Sequence, residues 1–195
     1  MASKAGSFFK SFFKVIFTVA ALTCGVISLL TMFAPFLQAI VEIPFSEGYA
    51  YVAYSGFALA FGGEGMGGFS YADTPDTLDP IGIQAGILVA FILLVIAIFS
   101  AITFLVFAWG HKNATVKKAL GFISLLTFVV AGVLFLCVIP LCSDFINNFK
   151  FSIGNLINID FTDAFLPGEG AITSGLFGIF GGVAMLVATV LGPKE

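Results

Sequence analysis

The sequence predicts an all-α integral membrane protein: a bundle of four transmembrane helices, with a small extracellular cap of partly strand character built from two outer loops. Three observations predict it. The 195-residue chain is 59% apolar and 10% charged, with a mean hydropathy of +1.12, where soluble proteins carry about 25% charged residues. Four long apolar runs carry no Asp, Glu, Lys, Arg or His in their central turns. One threading of those runs through a bilayer then sorts nearly every charge by side. Lys4, Lys10, Lys14, Lys112, Lys117, Lys118 and Lys194 fall on one side, and Glu42, Glu47, Glu64, Asp73, Asp76, Asp79, Asp144, Asp160, Asp163 and Glu169 on the other. Only Lys150 and Glu195 break the partition. Positive charge beside spans is retained in the cytoplasm. The chain therefore reads as one membrane domain, residues 1–195, in the plasma membrane. Both termini and the 111–115 turn are expected inside, and loops 42–80 and 144–170 outside.

The first run, about 12–41, is longer than it needs to be. As a helix it reaches roughly 43 Å against a hydrocarbon core of about 30 Å. Either it tilts, or its first turns lie in the headgroup region. Phe8, Phe9, Phe12, Phe13 and Ile16 project to one side, with Ser7, Lys10, Ser11 and Lys14 on the other. That pattern suits an interfacial entry or a snorkelling end. The run continues well past Ala21-Leu22-Thr23-Cys24, so it is expected to be a retained span and not a cleaved leader.

The second span, 81–110, is expected to open on Asp79-Pro80, with Asp as N-cap and Pro at the first helical position. The third covers 116–141. The fourth covers 171–191 and stops at Gly192-Pro193. Ile83-Gln84-Ala85-Gly86-Ile87 and Ile172-Thr173-Ser174-Gly175-Leu176 match in polarity and size, and Pro35 and Pro140 occupy similar places. A parallel repeat of two halves and the chance likeness of apolar helices both account for this.

Small residues mark close helix approach, because lipid gives helices no hydrophobic drive to associate. Gly82, Gly86 and Ala90 form one such stripe, and Ala171, Gly175, Gly178 and Gly182 another. They are expected to pack helices within the bundle or against another subunit. Span hydroxyls, among them Thr18, Thr23, Ser28, Thr31, Ser100, Thr103, Ser124 and Thr127, are expected to bond back to their own helices.

In the first outer loop, Tyr49 to Tyr54 alternates like a strand, and Ser55-Gly56 is expected to turn it into a second strand, Phe57 to Phe61. Gly62 to Gly68 is expected to form turns or a mobile flap. Asp73, Asp76 and Asp79 are explained by Asx turns beside Pro75 and Pro80, with calcium a weaker alternative. The second loop is expected to hold one or two short strands near Phe149 to Ile153 and Leu156 to Phe161. Tyr49, Tyr51, Tyr54, Phe57, Phe61, Phe149 and Phe151 are the candidate interaction surface, either packed together or left open to a partner. This layout, a long strand-prone first loop and a shorter second one, is similar to that of claudin-like four-span proteins. The loop Trp and Cys pair expected of claudins is absent, since Trp109 is the sole Trp.

Chemistry is hard to place. His111 is expected to be a solvated turn residue, and intramembrane carboxylates, HExxH, GxSxG, CxxC and Walker sequences are missing. Without Arg or a basic patch there is no basis for nucleic-acid binding. Cys24, Cys137 and Cys142 suit small packing residues. Asn113-Ala114-Thr115 matches a glycosylation triplet on the inner side, where it is expected to be silent. The expectation is a non-enzymatic structural, interaction or assembly subunit without cofactor or metal. Its partners are membrane lipid and either itself or another membrane protein, with no soluble small-molecule substrate. The alternative is the membrane subunit of a small transporter or channel.

Overall fold

The computed structural model describes residues 2–43, 48–70, 76–110, 114–149, 151–153, 157–159, 161 and 163–190. The chain is mostly helical, with four helices long and apolar enough to cross a membrane. It forms two compact units. One takes Met1–Leu29, Ala90–Val133 and Gly175–Glu195, and the other Leu30–Val89 and Leu134–Ser174.

Helix α1 runs over Ala2–Leu30 and tightens into a 3-10 turn at Thr31–Phe33. The apolar run continues, but the helix does not: β1 covers Pro35–Glu42. This corrects the expected span end near Val41. The residue before a proline is pushed away from the helical region, and Ala34 is extended at ψ 166. Proline is tolerated as the first residue of a strand, and the Ile40-Val41 pair favours one. The surplus length of the first run thus leaves the helix as sheet.

Strand β2 (Tyr49–Ser55) pairs antiparallel with β1, from Glu42↔Tyr49 to Pro35↔Ser55, with a register shift between Pro35 and Leu37. The expected second strand is instead a helix, α2 (Gly56–Phe61). The Ser55 side chain accepts a hydrogen bond from the Ala58 N–H at 3.1 Å, and Gly62 ends the helix at φ +77. Alternation over five residues fits either period, and the Ser cap and the positive-φ Gly decide it.

The expected glycine flap is a strand too. β3 (Gly63–Phe69) pairs with β2 on one side and with β4 (Asp76–Ile81) on the other. Its glycines leave room for neighbours: a methyl at Gly65 would lie 2.5 Å from the Tyr54 ring, and one at Gly67 2.8 Å from Leu78. Asp79-Pro80 lies in β4 and caps no helix. α3 begins later, at Ala85, and runs to Gly110.

The third run is broken. α4 covers Ala114–Leu136, Cys137 makes a turn, and Pro140 sits in the short α5 (Val138–Leu141). The ring of Pro140 excludes the carbonyl of Leu136 from a continuous helix. α6 (Ser143–Asn148) follows, then β5 (Phe151–Ile153) and β6 (Ile157–Ile159), a separate two-stranded pair. This places two short strands in segment 144–170, where one or two were expected. A third, β7 (Phe165–Pro167), joins β1 through Leu37↔Pro167 and Ala39↔Phe165. The main sheet therefore has the order β4-β3-β2-β1-β7. α7 occupies Glu169–Val190, with Glu169 suitably placed at its positive end. Pro35 opens a strand while Pro140 lies in a helix, so the two prolines do not hold equivalent places. His111, Lys112, Asn113, Asp73, Lys150, Asp160 and Gly192-Pro193 lie outside the described residues.

Candidate functional site

The helical unit is assembled by glycine and alanine at close helix contacts. A methyl at Gly178 would lie 2.9 Å from the Gly132 Cα, one at Gly132 2.7 Å from the Gly175 carbonyl, and one at Gly182 2.5 Å from Val129. The predicted stripe on α7 is therefore occupied by α4 of the same chain. Gly25 of α1 similarly faces Ile98 and Phe128, and Gly121 faces Thr189. Ala90, Ala97, Ala101, Ala131 and Ala188 are fully buried. Gly86 belongs to the other unit, where it faces Leu141. Gly82 is corrected: it precedes α3, is exposed, and a methyl placed on it would meet nothing within 4 Å. Gly25, Gly121 and Gly132 lie outside the short-interval small-residue spacing that drew attention to α7, and sequence reading missed them.

Four of the eight span hydroxyls bond back within their own helices, as expected. Thr18 donates to the Lys14 carbonyl, Thr23 to Val19, Thr103 to Phe99 and Thr127 to Ile123. Two depart from that expectation. Ser124 donates across helices to the Ala97 carbonyl at 2.9 Å, and Thr31 and Ser174 share a 2.6 Å hydrogen bond in the sheet-bearing unit.

The candidate aromatic surface divides in two. Tyr54 is corrected from a surface residue to a core one, at 2% exposure. Its ring meets Phe145 edge-on at 5.2 Å and Phe149 at 6.4 Å, and Phe149 in turn meets Phe161 and Phe165. Tyr49 is exposed and Tyr51 half-buried. Phe151 lies in β5, and its side chain is outside the described ones. Phe57 and Phe61 are exposed on α2 with ring centroids 4.7 Å apart, and Phe33, 68% exposed, stacks on Phe57 at 5.4 Å. Phe33 was hidden in the first apolar run, and its exposure follows only from where α1 ends.

Charge separates with the two units. The segments of the helical unit hold seven lysines and one acid, a side-chain charge of +6, and those of the sheet-bearing unit ten acids and one lysine, −9. All three cysteines are free thiols, and burial pushes the Cys142 thiol up to about 12. Among the described residues no three His, Cys, Asp or Glu side chains gather as a metal site would need. Asp73 and the side chains of Asp76 and Asp79 are outside that set. No protein-family model matches this chain, and no curated protein matches it in sequence.

Proposed function

We propose that this protein is a four-span subunit of the plasma membrane that acts by assembly, with itself or with another membrane protein, and catalyses no reaction. The lysine-bearing helix ends and both termini face the cytoplasm, and segments 42–80 and 144–170 face outward. The observation that carries the reading is the filling of the helical unit's interior. Phe104, Phe128, Leu94 and Met185 are sealed there with six alanines, and the buried Thr18 and Ser124 hydroxyls are spent on backbone carbonyls. Such an interior favours a packing role over a transport subunit, which needs polar groups turned toward a path. The polarity of each unit supports the orientation, since a lysine-rich face belongs on the cytoplasmic side.

Assembly requires a surface, and the exposed Phe33-Phe57-Phe61 ladder is its best candidate. Aromatic residues are enriched in the buried centres of interfaces. Crosslinking in native membranes tests the proposal. Discrete dimers or heteromers are expected, weakened by Phe57→Ser. A monomer that crosslinks to nothing under any linker length would overturn it.

A further inference from the structure

The main sheet has one covered face and one open face. On the covered face Leu37, Ala39, Val52 and Tyr54 are buried, and the Tyr54 ring meets Phe145 and Phe149. The alternate residues form the open face, in cross-strand rows fixed by the register. One row is Leu166–Gln38–Ala53–Met66, the next Ile40–Tyr51–Gly68, and the third Glu42–Tyr49. A solvated sheet face is ordinarily polar. Here Ile40 and Leu166 are each 62% exposed and Met66 is 56% exposed. Tyr49 is exposed beside them, and the Tyr51 ring lies over Gly68, where an added methyl would stand 3.4 Å from it. An apolar surface running across four strands marks an interaction site.

Charge selects the occupant. Glu42 and Glu64 are exposed on this same face, at its opposite ends: Glu42 follows Ile40 by two residues, and Glu64 precedes Met66 by two on the antiparallel strand side. The segments of this unit hold ten acids and one lysine, −9 in all. The faces of the two tyrosine rings also attract cations. A second copy of the face would bring another −9 and set like charge against like. An anionic lipid surface is repelled for the same reason. We propose that the open face docks a different protein outside the cell, through a segment of apolar side chains flanked by Lys or Arg. The outward placement rests on the threading proposed above, while the docking chemistry rests on the sheet. The face uses no residue of the Phe33-Phe57-Phe61 ladder.

Full-length protein in phosphatidylcholine nanodiscs is titrated with fluorescent peptides, and binding is read by anisotropy. One peptide has a centre of Val and Phe with lysines at both ends, a second has the same centre with glutamates at both ends, and a third is polylysine of equal length. The lysine-ended apolar peptide should bind more than about tenfold tighter than either control. Met66→Ser should weaken it about tenfold, and Glu64→Lys about fivefold. Phe57→Ser should leave it unchanged. Should Met66→Ser fail to fold, Glu64→Lys carries the comparison. Equal binding of the glutamate-ended peptide removes the charge requirement, equal binding of polylysine removes the apolar one, and either overturns the proposal. So does equal binding of the lysine-ended peptide to empty nanodiscs, which would make lipid the ligand, and so does a dimer of the protein that Met66→Ser dissolves, which would make a second copy the occupant. Binding in nanodiscs with none on intact cells that express the protein overturns the threading, whereas lost discrimination among the peptides overturns the docking face alone.

Discussion

At the scale of single residues, burial separates side chains that the sequence makes look alike. Tyr49, Tyr51 and Tyr54 belong to one alternating stretch, yet only Tyr54 is enclosed by rings. Strand character was legible from the alternation, but which face is covered was not. That depends on Phe145 and Phe149, which come about ninety or more residues later. Tyr54→Ala should cost about 3–5 kcal/mol, as truncation of a buried aromatic does, while Phe57→Ala should cost under about 1 kcal/mol. Unfolding in mixed micelles measures both. Cys142 offers a second case. Its raised value keeps the thiol protonated at neutral pH, so it should resist N-ethylmaleimide until the chain is unfolded. The sign of the pH effect follows. At pH below the usual thiol range both states hold the proton, and stability is unaffected. As pH climbs from about 9 to about 12, the unfolded chain ionises first and the folded state loses ground. Acid-side titration should leave this contribution unchanged.

At the scale of elements, the four long helices were legible because soluble folds seldom string twenty apolar residues together, whereas a bilayer demands about that many. Their ends were less so. Composition says nothing at Ala34, where the chain changes from helix to strand without becoming less apolar. Backbone chemistry does: Pro35 ends the helical region before it, and Pro140 splits the third run at Cys137. The short α2 was lost to a window too brief to separate two periods, although Ser55 and Gly62 marked both of its ends. The α4–α7 contact gives the clearest test at this scale. A side chain at Gly178 meets the backbone of Gly132 and the Phe128 carbonyl, and backbone cannot swing aside. Gly178→Leu should therefore abolish the monomeric fold or cost more than about 3 kcal/mol. Gly82→Ala, in open space, should stay within about 0.5 kcal/mol of the parent. Equal effects at the two sites would refute the assignment of the stripe to contacts inside the chain.

At the scale of the whole molecule, the distribution of charge is the property most fully readable from sequence, because it needs only the order of residues along the chain. The segments of the two compact units change over at nearly the same places along the chain where lysine gives way to acid. The proposed orientation predicts a specific labelling pattern. Asn113→Cys should react with a membrane-impermeant maleimide only after the membrane is opened, while Glu64→Cys should react in intact cells. The reverse pattern would invert the topology, and reaction at both sites in intact cells would end it. What the sequence could not convey at this scale is how the sheet closes. Phe165 to Pro167 carries no strong strand signal in three residues, and only its position beside Leu37, Gln38 and Ala39 makes it a strand.

That pairing has a consequence for how the protein is made. β1 leaves the ribosome early, but its partner β7 is still more than a hundred residues away. At about 5–20 residues per second, the free margin of β1 waits roughly 6 to 25 seconds for its mate. During that interval the nascent chain exposes unpaired amide and carbonyl groups, the kind of margin that recruits neighbouring strands. Polysomes translating this message in close array should thus be the setting in which the protein aggregates, and transcripts stopped just short of Phe165 should yield the product most dependent on chaperones.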